Sequence, residues 1–192
     1  MHILNVSTAT LDDLIEPVDL GQRPAPMAAL SFSDSDLAAL AGAWRGSGLP
    51  ELRLAALRDL RHPMSVDLWI DAVAADARVI LVRLLGGYEW WPYGCDRLAE
   101  VARAKGIALV LLPGECREED ARLAELSTVP AADRAELLAC FREGGPANLR
   151  AAVERMAALA GHPLTPLLAR PLPRVGLCLP GRGVVPLEAA EP

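Results

Sequence analysis

The most informative apolar run is Val79-Ile80-Leu81-Val82, carried through Arg83 to Leu84-Leu85 and stopped by Gly86-Gly87. It is too short to span a bilayer and rich in β-branched residues, which predicts a strand buried on both faces of a parallel sheet. A second continuous run, 107–112, closes at Pro113-Gly114. Between the two, Leu98, Val101 and Ala102 repeat at helical spacing over 96–105, and Gly106 supplies the stop. Strand, helix and strand in this order predict right-handed crossovers in a parallel sheet. Shorter apolar stretches at 3–7, 28–32 and 53–57 predict three more strands. Thr8-Ala9-Thr10 predicts a capped helix start, and Ser33-Asp34-Ser35-Asp36 a cap for a helix over 37–44. Arg61-His62-Pro63 reads as a bend. Ser65 then reads as the cap of a helix to about Ala75, with Val66, Ile70 and Val73 on one face.

Beyond Gly114 the pattern turns helical, over 118–126, 131–142 and 148–160, with apolar residues such as Leu149, Val153 and Met156 three and four apart. Four prolines between 161 and 173 then predict a linker, and 174–179 a strand with no partner left in the chain. The fold class expected is α/β: an open, mostly parallel sheet with helices on both faces, followed by a helical segment and the first strand of a truncated next domain. The expected divisions are an α/β head over 1–161, a Pro-rich linker over 162–173, and the start of a following domain over 174–192. On that reading 174–179 lies as an orphan edge or is poorly anchored.

Composition narrows the function classes. Hydrophobic residues make up 52% of 192 and aromatics only 4%, so the core must be mostly Ala, Leu and Val. A net charge of −6, with eighteen arginines and one lysine scattered rather than clustered, argues against duplex nucleic acid or an anionic membrane as partner. No stretch has the length of a transmembrane helix, and the first residues lack a signal-peptide pattern. Cys95, Cys116, Cys140 and Cys178 are far apart with no CxxC, so neither a zinc site nor a disulfide framework is expected, and a reducing, cytoplasmic compartment is.

Few motifs carry chemistry. There is no GxGxxG, Walker A loop or HExxH. Ser7-Thr8-Ala9-Thr10 stands where a phosphate could be cradled, but without a Gly to let backbone amides converge it reads as helix capping. Gly114-Glu115-Cys116-Arg117-Glu118 partly resembles a nucleophile elbow but lacks the closing Gly, and His62 and His162 both precede Pro, leaving Cys116 without an evident base. No catalytic residue and no metal ligand set is therefore assigned. The candidates for substrate binding or an interface are His62, Arg83 and the aromatic loop with Tyr88, Trp90, Trp91 and Tyr93. The loop follows the central strand, at the carboxyl edge where open α/β sheets bind ligands. Each has a plainer reading. His62 can be structural in its bend, Arg83 can pair with Glu89 or Asp71 or snorkel, and the rings can be packing.

Several pieces, in chain order, resemble the large subunit of aerobic cobaltochelatase, the CobN family, kin to the porphyrin-binding subunit of magnesium chelatase. They are Ser33-Asp34-Ser35-Asp36-Leu37, His62-Pro63-Met64-Ser65-Val66-Asp67, Val82-Arg83-Leu84-Leu85-Gly86-Gly87 and Trp91-Pro92-Tyr93-Gly94. Leu112-Pro113-Gly114, Leu126-Ser127-Thr128-Val129-Pro130 and Phe141-Arg142-Glu143-Gly144-Gly145-Pro146-Ala147-Asn148 complete the set. The resemblance covers roughly residues 1 to 180 and corresponds to the N-terminal region only. It implies a part in ATP-dependent insertion of cobalt into a corrin precursor, hydrogenobyrinic acid a,c-diamide, in cobalamin biosynthesis. It also implies three partners: the remainder of the large subunit, separate ATPase subunits that use ATP with magnesium, and the tetrapyrrole. This stretch itself is expected to bind no cofactor and to be non-catalytic, since the resemblance places the chemistry elsewhere in the large subunit. The alternative is a stand-alone α/β binding or assembly module without enzyme activity.

Overall fold

A computed structural model describes residues 16–74, 76–114, 120–172 and 175–187. Its centre is a parallel four-stranded sheet: β1 (Met27–Ser31), β2 (Leu52–Ala56), β3 (Val79–Leu84) and β4 (Ala108–Pro113), in the order β2-β1-β3-β4. All three pairings are parallel, with Met27 opposite both Leu52 and Val79, and Val79 opposite Ala108. The expected strands at 28–32, 53–57, 79–84 and 107–112 are thus present within a residue at each end. The expected strand at 3–7 and the helix start at 8–10 lie outside the described residues, as does Cys116.

Six helices are described: α1 (Asp34–Trp44), α2 (Pro63–Val73), α3 (Pro92–Lys105), α4 (Ala121–Leu126), α5 (Ala131–Glu143) and α6 (Gly145–Leu159). The period of two along a strand divides their burial. Ile80, Val82 and Leu84 face α2, α3 and α4, joining Val66, Ile70, Leu98 and Leu123 in one core. Val79 and Leu81 face the opposite way and join Leu40, Leu137, Val153 and Met156 from α1, α5 and α6 in the other. Every residue of β1 and β3 is buried, as a sheet covered on both faces requires.

Local chemistry sets the helix ends. Ser33 caps α1 by accepting from the Asp36 amide, as its sequence predicts. For α2 the expectation is corrected. His62 is the cap, its Nδ1 accepting from the Met64 amide at 3.1 Å, and Pro63 takes the first turn, where its missing N–H costs nothing. Ser65 sits inside that helix, buried, and its hydroxyl accepts from the Val18 amide at 2.8 Å.

Both sheet edges are covered, which removes the unpaired backbone that invites aggregation. On β4, Ser127 and Thr128 act as a short false strand. Thr128 Oγ1 accepts from the Leu109 amide at 2.7 Å, Ser127 Oγ from the Leu111 amide at 3.0 Å, and the Thr128 amide donates to the Leu109 carbonyl. On β2, the Gln22 side chain donates to the Leu54 carbonyl, and Arg53 Nε reaches back to the Arg23 carbonyl.

The Pro-rich stretch has neither helix nor strand over 163–172, yet it is fastened to α5 and α6. Buried Asn148 accepts from the Arg170 amide at 2.7 Å and donates to the Arg170 and Gly144 carbonyls, while Glu136 and Glu143 accept from the Ala169 and Leu172 amides. Beyond it, β5 (Gly176–Leu179) is not an orphan. It pairs antiparallel with β6 (Gly183–Pro186) in a separate two-stranded sheet. The sequence reading missed the partner because Pro180, Gly181 and Gly183 resemble a tail, whereas Gly181 and Gly183, both at positive φ, make a hairpin turn.

Candidate functional site at the carboxyl edge of the sheet

The connection after β1 runs outward to β2, and the chain then crosses back over β1 to β3 and β4. The order of winding therefore reverses between β1 and β3, and the carboxyl ends of these two strands form the crevice where open α/β sheets take ligands. Two adjacent clefts occupy that edge.

The larger is an open cleft of about 660 Å³ lined by Arg61, His62, Pro63, Glu89, Trp90, Trp91, Pro92 and Tyr93. It forms because β2 ends in a 3₁₀ turn (Leu57–Leu60) leading to Arg61-His62, while β3 ends in Gly86-Gly87 and a second 3₁₀ turn (Tyr88–Trp90). Gly87, at φ 72°, is needed there. A Cβ would sit 2.6 Å from the Asp120 carboxylate that accepts from the Tyr88 amide. The aromatic residues divide into distinct roles. Trp91 is buried, with its Nε1 donating to the Leu60 carbonyl at 2.8 Å. Gly94 exists for that ring, since a Cβ there would lie 2.1 Å from it. Trp90 and Tyr93 are 38% and 40% exposed. Trp90 packs edge to face on Phe32 and carries the Arg61 guanidinium over its own ring, 5.5 Å from the centroid.

The two tyrosines are pinned by carboxylates. Tyr93 donates to Asp67 at 2.6 Å, and Arg97 donates to the same carboxylate at 3.1 Å. The Tyr93 bond, aided by Arg97, holds the Asp67 carboxyl below its ordinary range and pushes the Tyr93 hydroxyl up. Tyr88 donates to Asp96 at 2.9 Å, with its hydroxyl likewise pushed up and Arg122 near its ring. Both phenols stay neutral at physiological pH and present flat apolar faces, with their polar tips already engaged.

The smaller cleft, about 290 Å³, is lined by Ser31, Phe32, Ser33, Asp36, Arg83, Leu85 and Gly114. Arg83 is buried in an ion pair with Asp36, Nη1 to Oδ2 at 2.7 Å, and Nη2 donates to the Gly114 carbonyl at 3.0 Å. Ser31 Oγ donates to the same Asp36 oxygen, and the guanidinium lies 4.6 Å from the centroid of the Phe141 ring. Neither Glu89 nor Asp71 pairs with Arg83, which corrects the partners expected. The alternation of β3 puts Arg83 on the side of Val79 and Leu81, facing α1 and α5, whereas Asp71 belongs to α2 on the opposite side.

The structure thus brings His62, Trp90 and Tyr93 to one cleft, puts Trp91 beneath it and Tyr88 beside it, and assigns Arg83 to its neighbour. Arg61, Glu89, Phe32 and Asp36 complete the edge. Arg61 had a legible signal, since it stands in the Arg61-His62-Pro63 bend that follows a predicted strand; Phe32 and Asp36 come together with the others only through the crossover. Among the described residues, no group of three or more His, Cys, Asp or Glu is placed to hold a metal ion. No described helix is long and apolar enough to cross a membrane.

The described cysteines differ sharply. Burial pushes the Cys95 thiol up to about 12, with Asp96 and Asp120 adding to it, and that of Cys140 up to about 11, while Cys178 is exposed. Iodoacetamide at neutral pH should label Cys178 and spare Cys95 and Cys140 until denaturant is added. Mass spectrometry of native and denatured samples reads this directly, and native labelling of Cys95 would contradict the packing of α3.

The fold, with two clefts at its switch point, is that of a doubly wound α/β domain. No family model matches the chain. It is, however, 39% identical over 186 residues to the aerobic cobaltochelatase subunit CobN of Sinorhizobium sp, and 38% identical over 152 residues to that of Pseudomonas aeruginosa. These matches take in 96% and 77% of this chain but only 14% and 12% of the relatives, so the chain spans about a seventh of their length or less. Among solved structures it is similar to the catalytic subunit of cobaltochelatase from Mycobacterium tuberculosis. The TM-score is 0.57 and the identity 28%, covering 78% of this chain and 12% of that one. The chain belongs to the CobN family and corresponds to its N-terminal region.

Proposed function

We propose that this domain serves in cobalt insertion during cobalamin biosynthesis as a non-catalytic part of a cobaltochelatase large subunit. In that reading cobalt is substrate, and ATP with magnesium is consumed on separate ATPase subunits. The domain helps to enclose the corrin precursor. The observation that carries this is the open cleft, where two partly exposed rings, Trp90 and Tyr93, stand beside Arg61 and His62 at the sheet's carboxyl edge. A flat macrocycle rimmed by carboxylates would find ring faces to lie on and a guanidinium to pair with. Each stacked ring contributes about 0.5–1.5 kcal/mol beyond area burial, so two suit a micromolar contact rather than a tight one.

Titrating the purified chain with hydrogenobyrinic acid a,c-diamide while following tryptophan fluorescence tests this. Quenching that saturates at tens of micromolar, and that shrinks in Trp90→Leu, is expected. Absence of quenching in folded protein would reject the macrocycle and leave the cleft as a protein interface, which Trp, Tyr and Arg also favour.

A further inference from the structure

The β5–β6 hairpin has one wholly apolar face. Leu177 stands opposite Val185 and Leu179 opposite Gly183, so alternation puts Leu177, Leu179 and Val185 on the same side. Val175 and Leu187, just outside the two strands, add further aliphatic side chains at the open end. Val175 is 67% exposed, Leu187 48% and Leu177 43%, and no residue of the hairpin belongs to either core of the described residues. Arg182, in the turn, is the one charged residue between 175 and 187. A two-stranded sheet is marginal in water by itself, and exposed edges are ordinarily blunted by charge. This one has no third strand, and its two strands carry no charged residue.

We infer that the apolar face of the hairpin is a docking surface for the remainder of a cobaltochelatase large subunit. The occupant follows from the comparison with the Sinorhizobium relative. The match takes in 96% of this chain, so β5 and its turn fall within it, yet only 14% of that relative is matched. A hairpin of this kind in the relative therefore stands next to a far longer polypeptide able to cover it. A face of Leu177, Leu179 and Val185, with Val175 and Leu187 at its open end, fits the apolar side of a helix or sheet in that polypeptide, and the free edges of β5 and β6 can extend the pairing. This rests on the family placement and is independent of what the carboxyl-edge cleft binds.

The test compares amide hydrogen exchange in this chain alone with that in a chimera. In the chimera, residues 1–192 replace the matched stretch of the Sinorhizobium protein. Residues 176–179 and 183–186 should exchange almost as free peptide in the chain alone and gain protection on the order of 100-fold in the chimera. The double variant Leu177→Thr with Val185→Thr keeps β propensity while removing the apolar face. It should abolish that gain and leave the β3 amides, a measure of the folded body, unchanged. Equal protection in both contexts, no protection in either, or a gain that survives the double variant would overturn the inference. So would a dimer of the chain alone in sedimentation equilibrium that the double variant dissolves, because a second copy would then be the occupant.

Discussion

Asp36→Ala should lower folding stability by about 3–5 kcal/mol, because it strands the Arg83 guanidinium as an unpaired charge between β3 and α1. Only 10% of the Arg83 side chain and 17% of that of Asp36 are exposed, at the wall of the smaller cleft, so solvent replaces the lost partner only in part. Arg83 Nε already has no hydrogen-bond partner, and the Asp36 contact is thus a large share of what holds the charge. Ser31 would lose its acceptor as well. The double variant Asp36→Leu with Arg83→Met should recover most of the loss, since an apolar pair of similar volume removes both charges from the interior. It should not recover all of it, because the Ser31 O–H loses its acceptor, at a cost of about 1–3 kcal/mol, while its oxygen still accepts from the Ser33 amide. Urea unfolding of the three proteins measures these differences directly. A loss below about 1 kcal/mol in Asp36→Ala would mean that water or another carboxylate replaces Asp36, and the buried-pair account would fail.

That pair also marks how far the sequence is legible. The period of two and the glycine stops locate β1 to β4 because burial on both faces leaves a signal in every residue of the strand. The caps at Ser33 and Gly106 are legible because each depends only on neighbours in sequence. Partners across the sheet are not. Asp36 and Arg83 are 47 residues apart, and which carboxylate meets Arg83 depends on which face α1 covers. That in turn depends on the crossover from β1 to β2, which carries α1. The Ser65 reading failed for a local reason: His62 and Ser65 both suit a cap, and Pro63 decides for His62 by favouring the first helical turn. Several pieces quoted for the family resemblance prove to be fastenings. Ser127-Thr128 closes the β4 edge, Asn148 ties α6 to the proline-rich stretch, and Gly94 makes room for Trp91. As a signal of family they serve well, but they say little about chemistry. At the cleft, composition identified the aromatic loop, whereas nothing in the order Trp90-Trp91 told which ring would be buried. The 3₁₀ turn settles that, by rotating Trp91 inward toward Leu60 and leaving Trp90 on the rim.

Adjacent tryptophans with opposite roles give the second large effect. Trp91→Ala should cost about 3–5 kcal/mol, the range for emptying an aromatic site in a packed core. It removes a buried ring and leaves the Leu60 carbonyl without its donor. Gly94→Ala attacks the same contact from the other side. Its Cβ would stand 2.1 Å from the Trp91 ring, and since Gly94 lies in the first turn of α3 its backbone cannot simply move away. Overpacking of that severity should cost about 1–3 kcal/mol or more. Trp90→Ala should behave differently. Its ring is partly exposed and held by Phe32 and Arg61, so stability should fall by no more than about 1 kcal/mol. Corrin quenching, in contrast, should shrink markedly. The two readouts separate the roles: Trp91→Ala that is folded under mild conditions should retain most of the response, while Trp90→Ala that is fully folded should show a clearly smaller one. If Trp90→Ala keeps the full response, the quenching arises at Trp44, Trp69 or Trp91, and the exposed ring of Trp90 does not receive the macrocycle. If instead Trp90→Ala unfolds the domain as severely as Trp91→Ala, the Phe32–Trp90 contact is part of the core and not a rim available to a ligand.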